Sequence, residues 1–406
     1  MRTKKAIYRL NFSLRPTSRQ EKFLNRLIGA DRWVYNSMLA YSEFTYLCGE
    51  PSDAKEWKAL LPKLKRSEEY EWINEIPSQV LQESVLNLDR AFKRFFKGLG
   101  GRPRFKKKSS GGSFQLPQPK LKMQGKLKAL LFLPLLKSWV RVDLHREIDG
   151  AIKGVTITKS PSGKWEISLV IHGQKQIMRV NANRVGIDLG LKHFAVSSNG
   201  VKTAAPNFLR ASEKKLAMMQ KNLSRKKKES GNYKKQSLKI AKLHEKIANQ
   251  RKNFIHNLSR KIVDDNQIIC LETLRVKNMV RNSRLAKSIS DAGWGMFVAQ
   301  LKYKSQWAGR SLRLINQWSP STKMCGNCGF INESLTLATR EWECESCGVH
   351  HDRDVNAAQN ILKIGLDTPE FKPVEKLTSG FLQKKQAKVG SVKQEPKVST
   401  SDQKSD

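Results

Sequence analysis

Apolar and polar positions change period several times along the chain, and each change marks an element. Residues 5–14, KAIYRLNFSL, alternate apolar and polar side chains, several of them basic, the period of a strand with one buried face. From residue 17 to about 97 the period becomes helical. Phe23, Leu27 and Ala30 recur at helical spacing, Val34 and Met38 extend the stripe, and Val80, Ser84, Leu88, Phe92 and Phe95 form a second one. These stripes predict helices packed on one another, with Arg and Lys repeated on the outward faces. The run GLGGRPRFKKKSSGG over 98–112 is a boundary rich in Gly, Ser and charge. Beyond it, SFQLPQ, SWVRVDL, IKGVTITKS and KWEISLVI read as short strands whose turns carry Pro and Gly. With the N-terminal strand they predict a small β-barrel interrupted by the helical insertion.

A new unit starts at Arg184. VGIDLGLKHFAVSSNG predicts two strands joined by a turn, followed by a long basic helical region over 211–263. Leu216, Met219 and Leu223 share one face, and Ile240, Leu243, Ile247, Phe254, Leu258 and Ile262 continue a heptad-like seam. GNY at 231–233 marks the break of a helical hairpin. IICLETL predicts a buried strand, 294–308 a helix, and SLRLINQWS a further strand.

Charge changes this picture. The 406 residues are 39% apolar, enough for a folded core, yet 76 Lys and Arg face 36 Asp and Glu, a net charge of +40. A single-sign field of that size points to a polyanion, and nucleic acid leads. A membrane surface fits less well, because no basic amphipathic stretch stands beside lipid-type anchors. The N-terminus lacks a signal-peptide core, and no window approaches the roughly 18 apolar residues of a membrane span. The longest apolar run, ALLFLPLL over 129–136, is broken by Pro134. The expected location is therefore cytoplasmic, in association with nucleic acid, with no membrane partner. In that compartment cysteines serve metals more than disulfides.

Four of the six cysteines cluster as CGNC (Cys325, Cys328), fifteen residues, then CESC (Cys344, Cys347). Two such knuckles supply the tetrahedral sulfurs, about 2.3 Å from the metal, of a structural zinc ribbon. Gly329 and Gly348 follow the pairs where the chain must bend. With all four positions filled by protein, no coordination site stays open for catalysis. His350 and His351 are then surplus ligands expected to face solvent or phosphate, and Cys48 and Cys270 read as reduced, partly buried residues.

Three acids stand out. Asp188 interrupts the apolar VGIDLG, Glu272 ends the apolar IICL, and Asp354 opens the helical VNAAQNIL. A carboxylate in such a strand is costly to bury unless it pairs or binds a metal. Each has an ordinary reading: Asp188 capping a turn, Glu272 meeting a lysine, Asp354 serving as an N-cap. Together they suit carboxylates clamping two Mg²⁺ about 3.5–4 Å apart for phosphoryl transfer.

The order GIDLG, ETL, CGNCG…CESCG, DRDVNAAQNI resembles the TnpB proteins of bacterial insertion sequences, and the same RuvC-like arrangement occurs in type V CRISPR effectors. The likeness covers nearly the whole chain and is most specific over 184–362. It implies an α/β multidomain protein. An RNase H-like (RuvC) nuclease over 181–320 and 350–370 would carry an inserted zinc ribbon over 321–349. An N-terminal β-barrel over 1–14 and 98–180 would be interrupted by a helical recognition domain over 15–97, with a disordered basic tail over 371–406.

The resemblance also implies an RNA-guided DNA endonuclease. Its catalytic, magnesium-binding acids would be Asp188, Glu272 and Asp354, with structural zinc on Cys325, Cys328, Cys344 and Cys347. Its partners would be a guide RNA from the transposon end and double-stranded target DNA cut beside a short adjacent motif. Other readings are a transposase acting on element ends and a nuclease-independent guide-dependent repressor. Candidate nucleic-acid contacts are Arg102, Arg104, Lys106, Lys107 and Lys108 of RPRFKKK, and Arg353. Asn356 beside it would contact the scissile phosphate or lie on a helix surface. Arg32, Trp33, Tyr35 and Asn36 form either a reading patch or helix packing.

Overall fold

Alternation at the N-terminus does produce a strand, β1 (Thr3–Arg15), with Tyr8, Phe12 and Leu14 buried on one face. The computed structural model describes residues 3–369, Leu337 excepted, and the tail expected over 371–406 lies outside them. Helix α1 (Ser18–Leu47) starts at a reciprocal cap in which Thr17 and Gln20 each bond the other's backbone N–H. Helices α2 (Ala54–Arg66) and α3 (Ser78–Phe96) complete the insertion. Leu24, Leu27 and Val34 of α1 and Val80, Leu81 and Leu88 of α3 are buried in one core. The buried seam of α1 runs through Leu24, with Phe23 only partly buried against the same core, and Phe95 is exposed, lining a recess with Tyr46 of α1 and Trp57 of α2.

Strands β2 (Gly112–Leu116), β3 (Leu121–Met123), β4 (Lys128–Leu133), β5 (Ser138–Asp143), β6 (Ala151–Lys159) and β7 (Trp165–Gln176) join β1 in one antiparallel sheet. The hydrogen-bonded order is β2-β6-β7-β1-β5-β4-β3, with β2 and β3 at its two ends. The apolar run before Pro134 is β4, which alternates Ala129, Leu131 and Leu133 inward.

The second half is built on β8 (Arg184–Asp188), β9 (His193–Ser197) and β10 (Lys202–Ala204). Helices α4 (Phe208–Ser224) and α5 (Gly231–Asp265) form the hairpin. Its break falls over 225–230, before GNY and not at it, because Ser230 accepts the Tyr233 N–H and starts α5 there. Then follow β11 (Ile268–Glu272), α6 (Val276–Met279), α7 (Ser283–Ala292), α8 (Trp294–Ala308) and β12 (Ser311–Ile315). The short strands β13 (Glu341–Glu343) and β14 (His350–Asp352) precede α9 (Arg353–Asp367). Among the described residues no helix is long and apolar enough to cross a membrane.

The second sheet has the order β10-β9-β8-β11-β12, with β8, β11 and β12 parallel and β9 antiparallel to β8. Alternate residues of its parallel strands serve opposite faces. Val185, Ile187, Ile269 and Leu271 share a core with Phe297 and Leu301 of α8 and Ile255 of α5. Cys270 and Ile315 meet Ile361 of α9 on the other face. Both faces being covered, these strands read as continuous apolar runs.

Helix α9 lies unusually close to this sheet. A Cβ on Gly186 would sit 2.1 Å from the Ala358 carbonyl oxygen and 2.6 Å from the Leu362 nitrogen, and one on Gly365 would sit 2.5 Å from Cys270 Sγ. Backbone atoms cannot rotate away, so Gly186→Ala must push α9 off β8. We expect it to lower the unfolding free energy by about 2 kcal/mol or more; a denaturant midpoint equal to that of the parent chain would contradict this.

Candidate functional site

Two adjacent parallel strands end in the first pair of acids. Ile187 of β8 is paired with Leu271 of β11, so Asp188 and Glu272 leave the sheet side by side. Asp354 occupies the first turn of α9, whose seat on β8 brings it to the same end. The Asp188 carboxyl is pushed up to about 7 by burial first, then by the negative charges of Asp354 and Glu272; Arg353 and the Leu189 N–H oppose the rise. Burial raises Glu272 as well. Three carboxylates brought to one end of the parallel strands offer a set of hard oxygen donors that suits a divalent cation.

Asp354 is not the helix cap. Asp352 caps α9, accepting the N–H groups of Asp354 at 3.1 Å and Val355 at 3.0 Å, and pairs with Lys202. Asp354 is thereby left to other partners, its Oδ1 meeting Arg353 Nη2 at 2.9 Å and Arg340 Nη1 at 3.7 Å. Arg353 is buried at this ion pair, so it balances the carboxylate and is not exposed toward a phosphate.

The cysteines converge more tightly. The sulfurs of Cys325, Cys328, Cys344 and Cys347 all lie within 4.8 Å of one another, a closeness the three acids do not reach. Cys325 and Cys347 are 3.7 Å apart and Cys328 and Cys344 3.6 Å. A tetrahedron with metal–sulfur bonds of about 2.3 Å has edges of roughly 3.8 Å, so the thiolates fit zinc. Gly329 (φ 81°) and Gly348 (φ 66°) take left-handed backbone, and each closes its knuckle by donating to the carbonyl of the first cysteine of its pair. His351 departs from expectation. It is buried, its ring tilted against Trp342 with centroids 4.9 Å apart and Nε2 3.1 Å from Cys325 Sγ, while His350 is exposed. Strand alternation in β14 sends the two neighbours to opposite faces.

The basic loop divides in the structure. Arg104, Lys107 and Lys108 are exposed, and Arg102 reaches Glu43 at 3.1 Å. Lys106 is a strut. Its Nζ lies 2.8 Å from the buried Asp31 and 4.2 Å over the Tyr35 ring, and Asn36 clamps both its N–H and its carbonyl. Tyr35 and Asn36 are thus tied to Lys106, and Arg32, Trp33 and Asn36 line a recess of about 470 Å³ with Trp72. Cys48 is exposed, and Cys270 is fully buried with its thiol pushed up to about 11 by burial.

A cleft of about 710 Å³ between the two sheets' layers was not legible from the chain. Its walls come from β1, β7, α5 and α8, including Arg9, Lys175, Asn253, Lys304 and Trp307. Lys175 Nζ lies 3.7 Å from the Tyr8 ring centre, and Lys304 donates to Ser259 Oγ and the His256 carbonyl, each at 2.7 Å. Burial draws the Lys304 ammonium down to about 8. The only sequence sign was a surplus of Lys and Asn on the α5 face, shared by many solvated helices.

Comparison with known proteins matches three stretches of the chain to described families. Residues 1–50 match a "Helix-turn-helix domain", 172–283 a "Probable transposase" and 294–361 a "Cas12f1-like, TNB domain". Within that stretch the described residues 3–50 form β1 and one long helix, not two helices joined by a turn. The chain is 34% identical over 356 residues to a Streptomyces pristinaespiralis protein, covering 86% of this chain and 87% of that one. It is 33% identical over 382 residues to InsQ of Escherichia coli K12, covering 89% and 93%. Both are named "Putative RNA-guided DNA endonuclease". Among solved structures, the chain superposes on one from the "Cryo-EM structure of the Cas12f1-sgRNA-target DNA complex" with a TM-score of 0.54 at 15% identity, covering 85% of this chain and 83% of that one.

Two outcomes follow from the site's electrostatics and donor set. A buried acid whose pKa is raised to about 7 destabilises the folded chain as pH climbs from the unfolded value through 7. Asp188→Asn, without added divalent cation, is therefore expected to raise the melting temperature at pH 8 and to change it little at pH 4. The upper limit is about 4 kcal/mol, reduced by partial exposure. Equal shifts at both pH values would refute this. Cys344→Ser is expected to lose stoichiometric zinc, and full zinc by elemental analysis would contradict the thiolate assignment.

Proposed function

Because the chain belongs to the TnpB family of insertion-sequence RNA-guided DNA endonucleases, we propose that it hydrolyses phosphodiester bonds of double-stranded DNA selected by a guide RNA. The observation that carries this is the meeting of Asp188, Glu272 and Asp354, from distant parts of the sequence, at one end of the parallel strands. We read the second sheet, with its order β10-β9-β8-β11-β12, as an RNase H-like nuclease of RuvC type, and the seven-stranded sheet as the barrel beside it. The guide derives from the transposon end, and action on DNA places the protein at the bacterial nucleoid.

Asp188, Glu272 and Asp354 would hold Mg²⁺, which when bound polarises the scissile phosphate and lowers the pKa of the attacking water. The protein's own groups set the stage for that. Asp188, half-buried and repelled by its two neighbours, would give up its proton where a cation is held. Arg353 and Arg340 orient Asp354 through ion pairs to its Oδ1. Asp352, bound to Lys202 and to the helix N-terminus, is withdrawn from the centre. The exposed Arg104, Lys107 and Lys108 and the cleft lined by Lys175, Lys304 and Trp307 supply basic and stacking groups for RNA and DNA backbones.

Single Asp188→Ala, Glu272→Ala and Asp354→Ala variants should each cut guide-matched plasmid at least about 100-fold more slowly with Mg²⁺, while retaining guide-dependent DNA binding. Cutting at the parent rate by any one removes that acid from the assignment.

A further inference from the structure

The thiolate cluster and the three acids are described above as two centres, yet one helix face connects them. Asn356 and Asn360 stand one turn apart on α9, and both are almost wholly buried, at 1% and 0% exposure. Neither faces the acids. Asn356 Oδ1 accepts the N–H of Gly326, inside the first cysteine knuckle, at 2.8 Å, and its Nδ2 donates to the Met324 carbonyl at 2.8 Å. Asn360 Nδ2 donates to the same Met324 carbonyl at 2.6 Å and to that of Ser321 at 2.8 Å. The fit is close from the ribbon side too, since a Cβ on Gly326 would come within 2.9 Å of Asn356 Oδ1 and 3.3 Å of Asn360 Oδ1.

We propose that Asn356 and Asn360 are positioning residues that fasten the first turn of α9, and so Asp354, to the cysteine knuckle, making the metal state of the thiolates set the placement of that acid. The proposal rests on the reading of the three acids as a divalent-cation site. Three features support it. Asn356 lies two residues from Asp354 on a rigid helix, so a shift of Met324 to Gly326 is transmitted without slack. A second link runs in parallel, because His351 touches Cys325 and the next residue, Asp352, caps α9. The ribbon also reaches Asp354 directly through Arg340, whose carbonyl accepts the Arg353 N–H at 2.8 Å. An amide can satisfy a backbone donor and a backbone acceptor at once, the two demands that Gly326 and Met324 make on residue 356. Coupling of this kind is reciprocal, so loosening the clamp should weaken both centres.

The test compares the zinc-loaded full chain with Asn356→Ala, Gly326→Ala and Asp188→Asn. Mn²⁺ binding is followed by electron paramagnetic resonance, and zinc release by a chromogenic chelator. Asn356→Ala and Gly326→Ala are expected to bind Mn²⁺ about tenfold more weakly and to release zinc about tenfold faster. In guided cleavage their kcat should fall while KM for target DNA stays unchanged. Gly326→Ala disturbs the clamp without altering α9, and so carries the test if Asn356→Ala fails to fold. Lowered melting temperature with parental Mn²⁺ affinity, or parental zinc release, overturns the proposal and leaves the acid site standing. If Asp188→Asn itself binds Mn²⁺ as the parent does, the acid-site reading fails and the proposal falls with it.

Discussion

Everything in the second half of the molecule depends on how closely α9 lies on β8, and that closeness depends on a missing side chain at Gly186. Helix and strand backbones ordinarily keep a layer of side chains between them. Here the strand's own hydrogen at Gly186, and the helix's at Gly365 against Cys270, replace that layer. The carboxylate at the head of α9 is consequently carried into the field of Asp188 and Glu272, where burial first and then mutual repulsion lift Asp188 to about 7. The folded state tolerates three acids in one place because their cost is met by hydrophobic contacts elsewhere, on both faces of the five-stranded sheet.

Much of this was legible in the sequence because the informative residues are locally incongruous. An aspartate inside VGIDLG or a glutamate ending IICL violates the pattern around it, and a violated pattern is where function shows. The cysteine knuckles were legible for a different reason, since spacing and glycines alone specify the bend around a metal. Elements with ordinary periodicity, such as α8 and β12, were also readable in place.

What stayed hidden is whatever only juxtaposition creates. Lys106 looks like its neighbours in RPRFKKK, but Asp31, 75 residues earlier, turns it inward. Asn356 looks like a helix-surface residue until the ribbon folds back on it. Adjacent His350 and His351 look equivalent, and only strand alternation separates them. The start of α5 was misplaced by a few residues because Ser230, not the glycine after it, decides where the helix begins.

The separation of the three acids along the chain has a temporal side. Glu272 follows Asp188 by 84 residues and Asp354 follows Glu272 by 82. At about 5–20 residues per second, a ribosome delivers the last acid several seconds after the second. During that interval the growing chain holds every strand segment of its first sheet and the basic loop over 98–112, but only two of the three carboxylates. On the proposed reading, the nascent protein becomes a nuclease only when α9 seats on Gly186.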